Sequence, residues 1–561
     1  MTRVTGGQAC VDVLKAAGVE TVFGLLGGSM LELYDAMRDD PAIRYIGARD
    51  ERAAGHMADA YGRMTGGPGV VLGAQAGPGV ANLVTAVAEA HLAYSPLVAI
   101  AGAITRNDLG KDTFQEFDQL SVFQPISKRS IMVPTPERLP ELLHDAMRLA
   151  MSGRRGPVVL HAPRDLFSAE IDAPETGPLP VAEPGGPTAE QTGQIMSLLR
   201  SAERPMIFAG AGFKSPAGSA ALAALAETLN VPVVTSTGHL DVLPADHPLL
   251  AGQTGPRGNR VAAELTGNAD LILALGTRLA FNSTFLNNDY VNAGARIVHV
   301  DMEASSVGRY FPVALGLQCG AVEAANAIRS AAADDAVLTD HWKSWVSAFH
   351  ESKESLRRER SEEESDASEP LNPKRVLGEI RRALPREAVV TLDTGNACLQ
   401  AADRLSHHEA PALIAPLDFG LVGFGYAAAL GAQAAVPDRP VVSVMGDGGF
   451  GFTMAEITTA VAYDLPVIGI VLDNGAWGAE KAYQKTFFDG RTLGADIASP
   501  PYDEMARLCG ADGYAVSRPG ETEEALRQAL AGKRPSVIHI KIDPDAINAL
   551  RKDLFKAPAK K

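Results

Sequence analysis

The stretch that decides the fold covers residues 445–478 and reads MGDGGFGFTMAEITTAVAYDLPVIGIVLDNGAWG. Its Gly-Asp-Gly turn follows an apolar run at 441–445, which predicts a buried parallel strand. A helical pattern at 453–462 and a second apolar strand at 466–472 come next. The stretch therefore predicts one βαβ unit in an α/β domain with a parallel sheet.

Polar side chains stand where the two strands of this unit end. Open α/β sheets bind ligands at those ends, and Mg²⁺ prefers oxygen ligands while keeping some positions for phosphate oxygens. Asp447 offers a carboxylate, Asn474 an amide oxygen and Ala476 a backbone carbonyl. The turn also supplies glycines that let backbone approach phosphates, namely Gly446, Gly448 and Gly449. The alternative is a surface turn with an Asn that merely ends a strand, but the complete βαβ unit favours a Mg²⁺-diphosphate site.

Length, charge and cysteine content limit the class of protein. A chain of 561 residues predicts about three domains. The net charge of −16 argues against nucleic-acid and membrane-surface partners, and no apolar run reaches the roughly 18 residues of a membrane span. The N-terminus lacks the apolar block of a signal peptide, so we expect a cytoplasmic protein with reduced cysteines. The cysteines are scattered: Cys10, Cys319, Cys398 and Cys509.

Alternating strand and helix patterns predict an α/β protein with three doubly wound parallel-sheet domains. We place them at 1–170, 190–345 and 371–545, followed by a basic tail at 546–561. The first and third domains could share a fold, and the middle one reads as a six-strand layer. The charged segment 350–370 predicts a solvated helix that frays into a linker.

With its Gly-Asp-Gly turn and the Asn that follows at this spacing, the chain resembles the thiamine-diphosphate-dependent enzymes, in their acetolactate synthase-like branch. The resemblance covers nearly the whole chain. It implies thiamine diphosphate and Mg²⁺ as cofactors, a first domain that binds the pyrimidine and a third that binds the diphosphate. It also implies a homodimer or homotetramer, because in this family the two parts of one site come from different subunits.

The segment from Glu51 to Asp59, ERAAGHMAD, is similar to the family motif that contains the activating glutamate. The resemblance makes Glu51 the catalytic carboxylate that faces the pyrimidine nitrogen and helps the exocyclic amino group become a base. Spacing alone favours an ordinary acid at a helix N-terminus, and it is the resemblance that gives Glu51 the catalytic role. The family's usual histidine before the glutamate is replaced here by Asp50.

Other stretches resemble family segments that surround the cofactor. Val422, in residues 416–433, occupies the position of the apolar wedge that bends the cofactor, although it could also be a plain core valine. The glycine loop at 76–82 and the DTGN loop at 393–396 resemble cofactor-binding segments, which adds Gly77, Pro78, Asn82, Gly395 and Asn396. Segments on the substrate side add Gln115, with a catalytic role, and Gly28, Ser29, Phe114, Trp477, Lys481 and Tyr483.

The chemistry that thiamine diphosphate supplies is addition to a carbonyl carbon, followed by stabilisation of the electron pair left after bond cleavage. Residues 477–481 (WGAEK) and the late Arg551-Lys552-Asp553 resemble sulfoacetaldehyde acetyltransferases, which transfer an acetyl group to phosphate and release sulfite. An anionic small-molecule substrate requires cations near the cofactor, and the candidates are Lys481, Arg106, Lys111 and Arg257. Taken singly, each of them fits a solvated surface charge better than a substrate contact.

Several alternatives remain open from the sequence. The enzyme could instead condense pyruvate as acetolactate synthases do, act as a 2-oxo acid decarboxylase or acyl-CoA lyase, or be an inactive scaffold that binds the cofactor. Flavin-bearing relatives commonly carry a Gly-Met-His-Gly turn, whereas residues 255–258 read Gly-Pro-Arg-Gly. This departure argues against FAD in the middle domain.

Overall fold

A computed structural model describes residues 2–333, 335 and 341–547 of the chain. The predictions made on Arg551, Lys552 and Asp553, and on most of the basic tail, lie outside the described residues. In the part that is described, no helix combines the length and the apolar character needed to cross a membrane.

The first domain contains a six-stranded parallel sheet between helices. A short antiparallel pair flanks it, formed by β1 (Arg3–Thr5) and β8 (Glu170–Asp172). The sheet consists of β2 (Thr21–Leu25), β3 (Arg44–Gly47), β4 (Gly69–Gly73), β5 (Leu97–Ala103), β6 (Arg129–Met132) and β7 (Val158–Pro163), in the order β3-β2-β4-β5-β7-β6. Its helices are Gly6–Ala16, Leu31–Arg38, Glu51–Thr65, Pro78–Asn82, Val84–Leu92, Gln119–Phe123, Arg138–Met151 and Asp165–Ser168.

The middle domain is a second six-stranded parallel sheet. Its strands are β9 (Pro205–Ala209), β10 (Val233–Thr235), β11 (Leu250–Gln253), β12 (Leu271–Leu275), β13 (Arg296–Asp301) and β14 (Leu315–Gln318), in the order β11-β10-β9-β12-β13-β14. The α-helices of this region are Ala189–Arg200, Pro216–Leu229, Arg260–Asn268, Phe281–Thr284, Ala321–Ala332 and Lys343–Glu364. The predicted six-strand layer is confirmed.

The third domain contains the stretch from which the fold was predicted. Its strands are β15 (Val389–Leu392), β16 (Leu413–Ile414), β17 (Val441–Gly446), β18 (Ile468–Asp473), β19 (Asp512–Val516) and β20 (Ser536–Lys541), all parallel, in the order β16-β15-β17-β18-β20-β19. Its α-helices are Pro373–Ala383, Asn396–Arg404, Gly425–Ala435, Asp447–Thr453, Ile457–Ala462, Gly478–Phe487, Tyr502–Leu508 and Glu521–Gly532. The three parallel sheets confirm the predicted fold class.

The strand orders show where each sheet can bind a ligand. Counted within each domain, the first and third sheets have the same order, second-first-third-fourth-sixth-fifth, so the shared fold is confirmed. In both, the order reverses between the first and third strands, and ligands bind beyond the carboxyl ends of strands at such a point. These strands are β2 and β4 in the first domain and β15 and β17 in the third. The predicted glycine loop at 76–82 follows β4, the loop at 393–396 follows β15, and the Gly-Asp-Gly turn follows β17.

The central strands of the sheets are apolar because helices cover both faces there. Every residue of β5 (LVAIAGA) and of β12 (LILAL) is buried. Such strands form the apolar core, so the polar side chains that can bind a ligand lie in the loops at the strand ends.

The first and third domains pack through helices Glu51–Thr65 and Gly425–Ala435. A Cβ added at Gly431 would overlap the carbonyl oxygen of Met57, so the two helices are in backbone contact at this point. Beside it, Arg63 pairs with the buried carboxylates of Asp59 at 2.5 Å and Glu89 at 3.2 Å. Arg63 also donates a hydrogen bond to Ala415 O of the third domain at 3.3 Å and lies over the ring of Phe424, so it helps to hold the helix that begins with Glu51 against that domain.

Two element boundaries differ from the sequence-based expectation. The helix predicted at 453–462 begins at Asp447 and is divided by a 3-10 turn, Met454–Glu456. The glycines of the turn have low intrinsic helix propensity, and tertiary packing overrides it. The predicted solvated helix does not fray before Glu364, because ion pairs fix its end: Glu363 with Lys374 and Arg404, and Arg360 with Asp403.

Candidate active site

The ends of β17 and β18 bring two carboxylates and an amide together. Asp447 is 1% exposed, and its Oδ2 accepts a hydrogen bond from Ser499 Oγ at 2.7 Å. Asp473 ends β18, and Asn474 follows it. The Oδ1 of Asn474 accepts a hydrogen bond from Ala476 N at 3.2 Å, which places Ala476 in the same turn. The three predicted metal ligands therefore lie at the ends of adjacent strands.

The two carboxylates at this edge of the sheet have pKa values that are shifted in opposite directions. Burial raises the pKa of Asp447 to about 6, and the nearby negative charge of Asp473 raises it as well. Burial alone would raise the pKa of Asp473. Hydrogen bonds from His539, at 2.7 Å, and from Lys541 outweigh burial and hold this pKa well below its usual range. Among the described residues, no basic side chain forms an ion pair with Asp447. This buried carboxylate is thus available to a cation.

The glycine turn is open at Gly446, where an added Cβ would meet nothing within 4 Å, and closely packed at Gly448. Gly446 ends β17, and Gly448 and Gly449 lie in the first turn of helix Asp447–Thr453. A Cβ added at Gly448 would lie 2.5 Å from the indole ring of Trp477, so only glycine fits there. Trp477 in turn packs edge-on against Phe452, with ring centroids 6.1 Å apart.

A buried carboxylate organises the loop after β15. Asp393 accepts backbone hydrogen bonds from Gly423 N at 3.0 Å and Gly425 N at 2.9 Å. Burial raises the pKa of Asp393 to about 6, although these hydrogen bonds act in the opposite direction. The loop continues through Gly395 to Asn396, which begins helix Asn396–Arg404. Asp393 therefore joins the predicted diphosphate loop to the segment that contains Val422.

Glu51 is the first residue of helix Glu51–Thr65, the first-domain helix that packs against the third domain. Its side chain is buried, and Oε2 accepts a hydrogen bond from Asn82 Nδ2 at 3.0 Å. Asn82 ends helix Pro78–Asn82, which begins after Gly77 at the carboxyl end of β4. The predicted pyrimidine-side residues are thus gathered into one cluster.

A glutamine that the sequence analysis did not single out joins the substrate-side segments. Gln75 Oε1 accepts a hydrogen bond from Gly28 N at 2.7 Å, and Gln75 Nε2 donates to Gln115 Oε1 at 2.5 Å. Ser29 Oγ accepts from Ala76 N at 3.1 Å. The signal was available, since Gln75 is a polar residue close after the buried strand β4. Gly28, Ser29 and Gln115 therefore lie around one polar centre.

The remaining predicted residues lie at more exposed positions. Val422 is half-buried in the loop before helix Gly425–Ala435, and Phe114 is 86% exposed. Lys481 Nζ pairs with Asp496 at 2.7 Å, and the ring of Tyr483 stacks on that of Phe487. The other predicted cations also have partners: Arg106 with Asp165 at 2.7 Å, Lys111 with Asp108 at 3.7 Å, and Arg257 with Asn282 at 3.0 Å.

Comparison with known proteins identifies the family. Three family profiles match consecutive parts of the chain: the N-terminal TPP binding domain of thiamine pyrophosphate enzymes at 4–122, their central domain at 192–328 and their C-terminal TPP binding domain at 393–540. Sulfoacetaldehyde acetyltransferase of Castellaniella defragrans is 32% identical over 583 aligned residues, which cover 100% of this chain and 96% of that protein. The chain belongs to the thiamine-diphosphate-dependent enzymes.

Relatives of this thiamine-diphosphate enzyme carry two different names at similar identity. The probable acetolactate synthase large subunit of Methanocaldococcus jannaschii is 32% identical over 556 residues, covering 96% of this chain and 92% of that protein. The acetolactate synthase large subunit of Corynebacterium glutamicum is 30% identical over 553 residues, covering 97% and 88%. The predicted enzyme class and thiamine diphosphate as cofactor are confirmed.

A buried histidine on the Glu51 helix should make this thiamine-diphosphate enzyme less stable at acid pH. Burial, with the charges of Arg52 and Arg63, lowers the pKa of His56 to about 3, and neither ring nitrogen has a hydrogen-bond partner among the described residues. An unfolded histidine titrates near 6.5, so below that pH the unfolded chain binds the additional proton and stability falls. Between about pH 7.5 and about pH 5, the wild type should lose about 2 kcal/mol more free energy of unfolding than His56→Leu. Urea unfolding at the two pH values measures this difference, and equal losses in both proteins would contradict the assignment.

Proposed function

We propose that Asp447, Asn474 and the carbonyl of Ala476 hold Mg²⁺, and that the backbone of Gly446, Gly448 and Gly449 binds the diphosphate. The donors fit the ion, because a hard cation takes oxygen ligands and Asp447 is a buried carboxylate without a basic partner among the described residues. Gly395 and Asn396 would contact the diphosphate from the loop after β15. The single observation that carries the proposal is the meeting of Asp447 and Asn474 at the ends of β17 and β18.

Glu51 would act on the pyrimidine end of the cofactor. When bound, thiamine diphosphate supplies a nucleophilic carbon and an electron sink for cleavage next to a carbonyl. The Glu51 carboxylate would stabilise the proton on the pyrimidine nitrogen, and Asn82 orients that carboxylate through its 3.0 Å hydrogen bond. Gly77 and Pro78 would line the same ring, and Val422 would force the bent shape of the cofactor. Intact Glu51, Asp447 and Asn474 argue against an inactive scaffold.

The site would be shared by two copies of the chain, as we infer for a homodimer or homotetramer. Glu51 of one subunit would serve the cofactor held by Asp447 of the other. Gly28, Ser29, Gln115 and Phe114 would line the substrate side of the cavity, with Gln115 as a catalytic hydrogen-bonding group. The exposed ring of Phe114 suits a residue that a second subunit or a substrate covers.

The reaction that we propose is acyl transfer from a small anionic aldehyde or 2-oxo acid to phosphate. Support comes from residues 477–481, which resemble sulfoacetaldehyde acetyltransferases, and from relatives with that name. Trp477, Lys481 and Tyr483 would contact the substrate or the phosphate. Lys481 would have to exchange its pairing with Asp496 for the anion. Condensation of pyruvate is the second candidate, because acetolactate synthases match the chain at similar identity.

FAD has no role in this proposal. In the middle sheet the strand order reverses between β9 and β12, where a nucleotide would bind. The loops after these strands are hydrogen-bonded to each other, through Gly212 N to Gly276 O at 3.1 Å. The proposal leaves FAD out because of the Gly-Pro-Arg-Gly turn at 255–258.

One assay separates the reactions. Purified protein is incubated with Mg²⁺ and thiamine diphosphate, and with either pyruvate or sulfoacetaldehyde, each with and without phosphate. We expect acetyl phosphate and sulfite from sulfoacetaldehyde only when phosphate is present. Acetolactate from pyruvate would establish the second candidate, and a free aldehyde would indicate a decarboxylase.

A further inference from the structure

The middle domain holds the loop that contains Val422. This loop covers residues 415–424 and joins β16 to helix Gly425–Ala435. Asn282 Nδ2 donates hydrogen bonds to Leu417 O at 2.8 Å and to Asp418 Oδ1 at 3.3 Å. Arg278 Nη2 donates to Asp418 Oδ2 at 2.9 Å. Two side chains of one domain thus fix the first half of a loop that belongs to another.

Both side chains are themselves fixed. Arg257 Nη1 donates to Asn282 Oδ1 at 3.0 Å, so the amide is held with its NH₂ group toward the loop. Arg278 lies over the ring of Tyr94, 4.4 Å from its centroid, and Nη1 donates to the hydroxyl of Tyr94 at 3.0 Å. The guanidinium is therefore positioned by the first domain while it holds the third.

The second half of the loop is fixed independently. Gly423 N and Gly425 N donate to Asp393, as described above. Val422 lies between this attachment and the one at Leu417 and Asp418. Because both ends are held, the position of Val422 depends on the middle domain as well as on the domain that carries it.

We propose that Arg278 and Asn282 are positioning residues that set how far Val422 reaches beneath the cofactor. This rests on the proposed function, in which Val422 is the wedge that bends the cofactor. Arg278 and Asn282 touch neither the diphosphate turn nor Glu51 in any described contact. They affect activation of the cofactor through the loop. The middle domain thereby influences how readily the thiazolium C2 carbon loses its proton.

The decisive variant is Asn282→Asp. It keeps the shape of the side chain and an acceptor for Arg257, but it removes the donor to Leu417 and places a negative charge beside Asp418. A displacement of about 1 Å at a reacting centre can cost about 100-fold in rate. We therefore expect Asn282→Asp to slow exchange of the thiazolium C2 hydrogen of bound thiamine diphosphate at least about tenfold, as followed by proton NMR in deuterated buffer.

Affinity for thiamine diphosphate, measured by calorimetry, should change less than about threefold, because the diphosphate contacts lie elsewhere. Arg278→Ala should slow C2 exchange in the same way. The matched control is Arg154→Ala, because Arg154 also lies over Tyr94, at 4.6 Å, but its charge faces Glu303 instead of the loop. Normal exchange in Asn282→Asp, or equal slowing in Arg154→Ala, would overturn the positioning role.

A variant at the wedge separates this inference from the proposed function. If Val422→Ala slows C2 exchange and Asn282→Asp adds little in that background, the two residues act on the same step, as proposed. If Val422→Ala slows exchange but Asn282→Asp does not, only the positioning role fails. If Val422→Ala has no effect, the wedge assignment fails, and the positioning role fails with it.

Discussion

Replacement of Glu51 by Gln should lower turnover about 1,000-fold, because the amide cannot stabilise the protonated pyrimidine as a carboxylate does. The variant keeps a carbonyl oxygen that can accept the hydrogen bond from Asn82, so the helix and the cofactor pocket should persist. Affinity for thiamine diphosphate should remain within a few-fold of the wild type. Steady-state kinetics and calorimetric titration with the cofactor measure the two effects separately.

The control for this experiment is the neighbouring carboxylate. Asp50 caps the same helix by accepting a hydrogen bond from Arg52 N at 2.7 Å, and asparagine caps helices equally well. Asp50→Asn therefore removes a charge one residue away without removing the cap, and it should stay close to wild-type activity. Full activity in Glu51→Gln would show that another group activates the cofactor.

Replacement of Asp447 by Ala should weaken binding of Mg²⁺ and thiamine diphosphate more than about 100-fold, because loss of a ligand costs more than loss of its supporting partners. Asp447 is the buried carboxylate that accepts a hydrogen bond from Ser499 and lies beside Asp473. Calorimetry with the cofactor at fixed Mg²⁺ measures the loss. Unchanged affinity would exclude Asp447 as the metal ligand.

Asp438→Asn is the matched control, since Asp438 is an exposed aspartate just before the other end of β17. It should bind both cofactors normally.

The two active-site variants also test whether the site is shared between subunits. When Glu51→Gln and Asp447→Ala chains are mixed and allowed to exchange, a mixed dimer would have one site with both native residues. The mixture should regain about one-quarter of the wild-type activity, because half of the randomly paired dimers would each hold one intact site. A mixture as inactive as its components would place both residues in the same chain's site.

The sequence predicted the parts of the site that follow directly from strand ends. Asp447 and Asn474 come immediately after apolar runs, and a buried parallel strand must end where such a run ends. Because the carboxyl ends of parallel strands lie at one edge, their proximity could be stated without coordinates. Gly28 and Gly77 were assigned by resemblance to family segments, and the structure places them after β2 and β4.

Contacts between distant segments could not be predicted in this way. Gln75 joins Gly28 and Gln115, and Arg278 joins Tyr94 to Asp418, across separations that no local pattern encodes. Judged from its local sequence alone, each of these residues looks like an ordinary polar loop residue. Which loop residues meet depends on how three sheets pack against one another, and side-chain hydrogen bonds form only after that packing is set.

The backbone contact between Gly431 and Met57 has a consequence for how substrate enters. The first and third domains of one chain are in backbone contact there, and separating them would also break the contacts of Arg63 with Ala415 O and with the ring of Phe424. A large hinge motion that separates these two domains is therefore an energetically unfavourable way to admit substrate. We therefore expect substrate to enter and leave through movement of the loops at the carboxyl ends of the strands, and such loop motions limit turnover in many enzymes.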